Sequence, residues 1–190
     1  MKKNRILRAA ISLCLALSFI ISFSRCTYSD EIIPCRDIVN ALTELEIGLP
    51  AGKIYSYHAT EGEEGYISDS LLSALFSDNG EIPLIEGWID YAFFLPSSNH
   101  PCQIIVILCN TPTSAKDTAR LLSRRLNTLR SAYKSGDGGG ISRPNDEDGT
   151  GVDTAAYLEG AAVTISRNYV LLIISSDTAA LKKKALGIIG

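Results

Sequence analysis

Apolar and polar positions alternate with two different periods along this chain, and the change of period marks its elements. Ile104 to Cys109 are six consecutive apolar residues, several of them β-branched, bounded by Pro101 and Pro112. Such a run suits a short strand covered on both faces. Beyond the turn Asn110-Thr111-Pro112-Thr113 the period changes. Ala115, Ala119, Leu122, Leu126, Leu129 and Tyr133 are separated by alternate steps of four and three. That spacing draws one stripe along a helix reaching about Lys134. Ser114, with Asp117 after it, supplies a hydroxyl and a carboxylate for the free amide groups of its first turn.

The same reading extends along the chain. Ile38, Leu42 and Leu45 share one face of a helix from Pro34 to about Glu46, which Gly48 to Gly52 stops. Lys53 to Gly65, with its acidic cluster Glu61, Glu63 and Glu64, reads as a loop. Asp69 caps a short helix through Phe76 with Leu72, Leu75 and Phe76 inward. Trp88 to Leu95 is an aromatic-rich strand that a turn joins to Ile104–Cys109 as an antiparallel pair. Ala161–Ser166 and Tyr169–Ile174 form a second hairpin about Arg167-Asn168, and a final helix follows the cap Ser175-Ser176-Asp177. Ser135 to Asp153 alternates glycine with acid and reads as a solvated loop.

Two units of hairpin plus helix emerge, Trp88–Leu95, Ile104–Cys109 and the helix from Ser114, then Ala161–Ser166, Tyr169–Ile174 and the helix from Asp177. Both carry Asp-Thr-Ala near the strand-to-helix junction, at Asp117-Thr118-Ala119 and Asp177-Thr178-Ala179. The expected fold is α+β: a four-stranded, mainly antiparallel sheet from two β-β-α units, with helices packed on one face. Two short N-terminal helices cover an edge or end of that layer.

Charge separates the first residues from the rest. Residues 1–25 hold five of the 18 bases (Lys2, Lys3, Arg5, Arg8, Arg25) and none of the 21 acids, so the remaining chain has 13 bases against 21 acids, a net −8. An acidic body argues against general nucleic-acid binding. The bases precede an uncharged segment from Ala9 to Phe23, a length that suits a signal-peptide core and is short for a membrane span. The body is therefore expected on the outer face of the cytoplasmic membrane or beyond it, with the N-terminal segment as the contact with the membrane. Three endings of the leader stay open. Cys26 is a candidate lipidation site, although Arg25 departs from a lipoprotein pattern. Ser22-Phe23-Ser24 offers a cut before Arg25, and an uncleaved anchor is the third. Residues 26–33 then link the leader to a single domain, 34–190, that contains the 135–153 loop.

Candidate chemistry is sparse. Of the five cysteines, Cys14 lies in the leader. Cys102 and Cys109, an odd number of residues apart along a strand, point to opposite faces and do not pair with each other. An exported protein permits a disulfide from Cys35 to either; buried free thiols are the alternative. No zinc spacing, phosphate loop or hydrolase signature is present, and Asp146, Asp148 and Gly149 match an EF-hand without its first and last carboxylates. No catalytic residue, cofactor site or metal site is assigned. Lys116, Arg120, Arg124, Arg130 and Lys134 read as the wet face of their helix. Trp88, Asp90 and Phe94 share one face of their strand, which is a candidate binding face if it is open, with Asp90 solvated there.

From about Asp37 to Ile189 the chain resembles the domain of unknown function four-three-five-eight. The resemblance is carried by the leader, the Asp37-Ile38-Val39 helix start, the apolar strand before Ala119–Tyr133, and the Tyr157, Ala162-Val163 and Asn168-Tyr169-Val170 segments in order. It implies a small exported or lipoprotein-like protein of Gram-positive bacteria and carries over no functional residue. The expected function is a non-enzymatic binding module of the cell envelope, with an envelope protein as partner. An envelope-associated hydrolase using His58, Asp90 or His100 is the alternative.

Overall fold

Along the chain the elements are α1 (Cys35–Thr43), β1 (Gly52–Ser56), α2 (Asp69–Phe76), β2 (Trp88–Pro96), β3 (Gln103–Cys109), α3 (Pro112–Ser135), α4 (Thr154–Glu159), β4 (Ala162–Ser166), β5 (Tyr169–Ile174) and α5 (Thr178–Ile189). They come from a computed structural model that describes residues 32–45, 48–77, 86–97, 100–135 and 154–190. The loop expected at 135–153 and the lipidation candidate Cys26 lie, apart from Ser135 at the end of α3, outside the described residues.

The five strands make one antiparallel sheet in the order β1-β2-β3-β5-β4. Both hairpins fall where the apolar pattern places them. Arg167, at φ 52, takes the left-handed backbone that the tight β4–β5 turn needs. The fifth strand, β1, is the segment expected as a loop. Its sequence Gly-Lys-Ile-Tyr-Ser has too little alternation to be read locally. It becomes a strand by pairing with β2, from Gly52 opposite Pro96 to Ser56 opposite Ala92.

Helices cover both faces of the sheet, not one. All residues of β3 and β5 are buried. Since a strand turns alternate side chains to opposite faces, an apolar strand buried throughout needs a cover on each. On one face Tyr91, Phe93, Ile105, Ile107 and Leu172 pack against Phe76 of α2 and Leu122 and Leu126 of α3. On the other Ala92, Phe94, Ile104, Val106 and Leu171 pack against Ile38 and Leu42 of α1 and Leu181 and Ile189 of α5. Each fully buried Leu, Ile or Phe contributes about 2 kcal/mol to this core. The two N-terminal helices thus lie on opposite faces and not at an edge.

The two β-β-α units are not copies of one another. A rotation that exchanges and reverses β3 and β5 leaves each face of the sheet in place, so copied units would put α3 and α5 on the same side. The Asp-Thr-Ala triplets differ as well. Asp177 is the N-cap of α5 and accepts from the Ala180 N–H at 2.9 Å. Asp117 lies inside α3, exposed and 2.7 Å from Arg120. The cap of α3 is Thr111, whose hydroxyl accepts from the Ser114 N–H at 3.0 Å, because Pro112 fits the first helical position and starts the helix ahead of Ser114.

Candidate functional site

A β-bulge decides where the polar groups of β2 go. Trp88 pairs with Cys109 but Asp90 pairs with the adjacent Leu108, so the register shifts between them. One inserted residue turns the two side chains to opposite faces. Trp88 joins Phe76 and Tyr91 under α2 and α3 and donates its indole N–H to Thr118 at 2.7 Å. Asp90 and Phe94 point the other way and are buried, with 6% and 5% of their surfaces exposed. The expectation that Trp88, Asp90 and Phe94 share an open face therefore fails, as does that of a solvated Asp90: the bulge separates them and α1 covers the face.

Asp90 is held at the start of α1. Pro34 occupies the N-cap position and has no side-chain acceptor to offer. The Asp90 carboxylate fills that role across the fold, accepting the Cys35 N–H at 2.7 Å through Oδ2. An anion suits this place because the first amide groups of a helix are unsatisfied and carry its positive dipole end. The Cys35 thiol donates to the Asp90 carbonyl at 3.5 Å. Tyr169 holds the incoming chain, accepting from the Ile33 N–H at 2.9 Å and donating to the Ile33 carbonyl at 2.8 Å. The remaining Asp90 oxygen, Oδ1, is buried without a hydrogen bond and faces His58 Nε2 at 3.4 Å. The His58 ring itself is mostly exposed and lies edge-on to Tyr57.

Histidine, carboxylate and thiol thus come together, yet the set does not form a nucleophile. Burial, and then the neighbouring Asp90 charge, push the Cys35 thiol far up from its ordinary value, so it stays protonated at neutral pH. Its sulfur is oriented at a carbonyl, not at His58. Burial also pushes Cys102 up to about 12 and raises Cys109. These three are free thiols in the structure, and Cys102 and Cys109 sit in the cores on opposite sides of the sheet. His100 lies beyond the far end of β2 from Asp90. It accepts the Cys102 N–H at Nδ1, packs edge-on to Tyr157, and burial lowers its pKa. Among the described residues no group of three or more His, Cys, Asp or Glu side chains is placed to hold a metal ion.

The cations of α3 divide into two sets. Lys116, Arg120 and Arg124 are exposed. Arg130, expected on the same wet face, turns inward and donates to the Leu158 and Ala161 carbonyls at 2.7 to 3.1 Å, tying α4 and the start of β4 to α3. Arg125 is buried enough that its pKa falls to about 10. It remains charged, donating to the Gln103 amide oxygen and to the Leu75 carbonyl at 2.6 Å. The helical stripe did not reveal these two roles, because Arg125 follows a polar neighbour and its partners are distant in sequence.

Between the exposed cations and β4 runs a groove of about 640 Å³, lined by Lys116, Ala119, Arg120 and Ser123 of α3 and by Val163 and Ile165 of β4. Ile165 keeps 43% of its surface exposed there. β4 ends the sheet and, among the described residues, pairs only with β5. Its outer edge therefore presents backbone donors and acceptors beside an apolar side chain and a row of positive charge. Among the described residues no helix is long and apolar enough to cross a membrane. Comparison with known protein families, with curated proteins and with solved structures found no match for this chain.

Proposed function

We propose that this is an exported protein held at the outer face of the cytoplasmic membrane by its N-terminal segment, with a folded body that binds an envelope protein and carries out no reaction. The leader pattern and the resemblance to the domain of unknown function four-three-five-eight support the address. The observation that carries the binding function is the edge of β4, uncharged and, among the described residues, unpaired, beside the exposed cations of α3. A strand edge of that kind recruits an extended chain unless charge or cover protects it. The test has two arms in a Gram-positive host. Intact mass and membrane fractionation of the full chain and of Cys26→Ala read the anchor. A photo-crosslinking amino acid at position 165, compared with one at position 63, reads the partner. Membrane retention with adducts confined to position 165 supports the reading, and a freely secreted protein or equal adducts at both positions sink it.

The hydrolase alternative rests on one observation, the 3.4 Å approach of His58 to Asp90. A carboxylate behind a histidine orients a general base, but the thiol beside Asp90, Cys35, is buried, protonated and directed at a carbonyl. His58→Ala distinguishes the readings: an unchanged cell-wall or peptide turnover assay leaves the binding module, and lost turnover establishes the enzyme.

A further inference from the structure

We infer that the groove between α3 and β4 takes an acidic, extended segment of a partner protein, which adds to the sheet as a sixth strand beside β4. The inference rests on the binding-module reading and names the chemistry of its partner. Three features of the groove point the same way.

The first is the strand edge. β4 has only β5 as a neighbour among the described residues, and none of its residues, Ala162-Val163-Thr164-Ile165-Ser166, carries a charge. Backbone groups along such an edge are best satisfied by another strand. A phosphate or a lipid headgroup meets one or two of them and leaves the rest.

The second is charge. Lys116 and Arg120 stand along the exposed side of α3, a helix whose one carboxylate is Asp117. Asp117 pairs with Arg120 at 2.7 Å, but both side chains are largely exposed, and such a pair is weak enough for a better-placed carboxylate to share the guanidinium. These two cations are four residues apart, a rise of about 6 Å along a helix. Alternate residues of an added strand are about 6.8 Å apart on one face. Acidic side chains at every second position of the ligand therefore match the spacing of Lys116 and Arg120.

The third is the apolar lining. Ile165, Val163 and Ala119 line the groove together with the cations, so the ligand face that meets α3 combines carboxylates with an aliphatic residue. A second copy of this chain fits poorly, since pairing β4 with β4 places two rows of cations on the same side of the joined sheet. A nucleic acid is disfavoured because no aromatic residue lines the groove for base stacking.

The experiment uses the full chain in detergent and an end-blocked seven-residue peptide that alternates Glu with Val. Binding is read by fluorescence anisotropy and by the backbone amide shifts of residues 162–166. The expected result is saturable binding that moves those amides and weakens roughly tenfold in Lys116→Glu/Arg120→Glu. Both positions are exposed, and unchanged amide shifts in β2 and β3 certify that the variant is folded. N-methylation of alternate residues separates strand addition from simple charge attraction. Methyl groups on the peptide edge that meets β4 abolish binding, and the same number on the other edge leaves it intact. Equal binding by both methylated peptides overturns the proposal. So does a Lys-for-Glu peptide that binds as well and moves the same amides, although the sheet-edge reading then stands. No shift at 162–166 with either peptide overturns both. Tighter peptide binding after Asp146, Glu147 and Asp148 are changed to amides assigns the groove to the chain's own acidic segment and also overturns the proposal. Binding of an oligonucleotide or of anionic vesicles with no peptide response replaces the partner by another class.

Discussion

The two edges of the sheet are of equal length and opposite character. At β1 the chain folds back on its own edge. The Ser56 N–H donates to the Gly65 carbonyl at 2.9 Å, and Lys53 and Glu64 stand at 4.0 Å outside it. Gly65 is buried with φ +83, and a Cβ there would lie 2.5 Å from the Ile54 carbonyl oxygen. Only glycine allows that close return of the backbone. At β4 there is no charge in the strand, and Ile165 is left in the open. Natural sheets protect their edges by charge and by cover. β1 has both devices, whereas β4 carries no charge of its own and, among the described residues, no segment covers its outer edge; the strand-addition proposal rests on that asymmetry.

The largest expected effect breaks the closed edge. Gly65→Ala imposes a side chain on a left-handed backbone against a carbonyl and costs about 3 kcal/mol in urea denaturation. Gly160→Ala, just before β4, meets nothing nearer than 3.9 Å and changes stability by less than about 0.5 kcal/mol. Similar losses at the two glycines would erase the distinction between the edges.

A smaller loss is expected behind the closed edge, at the start of β2. Asp90→Ala leaves the Cys35 N–H buried without an acceptor and costs about 2 kcal/mol. Asp90→Asn keeps an acceptor oxygen and loses about half of that. Amide exchange at Cys35 should quicken in the alanine variant; unchanged exchange would show that Asp90 does not cap α1.

The smallest expected effect on stability is at the open edge, where it sharpens the contrast. Ile165→Lys gives β4 the kind of charge that β1 has in Lys53. Its midpoint should move by less than about 0.5 kcal/mol, while self-association near the unfolding transition, followed by light scattering, falls. Scattering that stays as high as in the native chain would mean that this edge does not recruit other chains.

How far the sequence leads differs between fold and site. The apolar run of β3, the stripe of α3, both hairpins and the Asp177 cap are local patterns, so periodicity and turn chemistry reveal them. β1 is not, since its five residues become a strand only against Phe93 and Phe94 of β2. The apolar content of β3 and β5 on both faces already required cover on two sides, but which helix goes to which face depends on loop paths that no period records. The site was less legible. Asp90 is visible as a carboxylate among aromatic residues, whereas its partner Cys35 lies 55 residues away. The bulge that turns it from Trp88 leaves no mark in the alternation.

By itself, then, the sequence determined the order and type of most elements, the charge contrast between residues 1–25 and the rest of the chain, and which strands are apolar throughout. These properties are set within a few residues, where sterics, capping and side-chain period act. Tertiary structure alone decided the fifth strand, the division of helices between the two faces, the inward turn of Arg125 and Arg130, the capping of α1 by Asp90 and the difference between the sheet edges. Each depends on groups brought together from distant parts of the chain, where the penalty for an unsatisfied buried polar group selects the partner and no local period can name it.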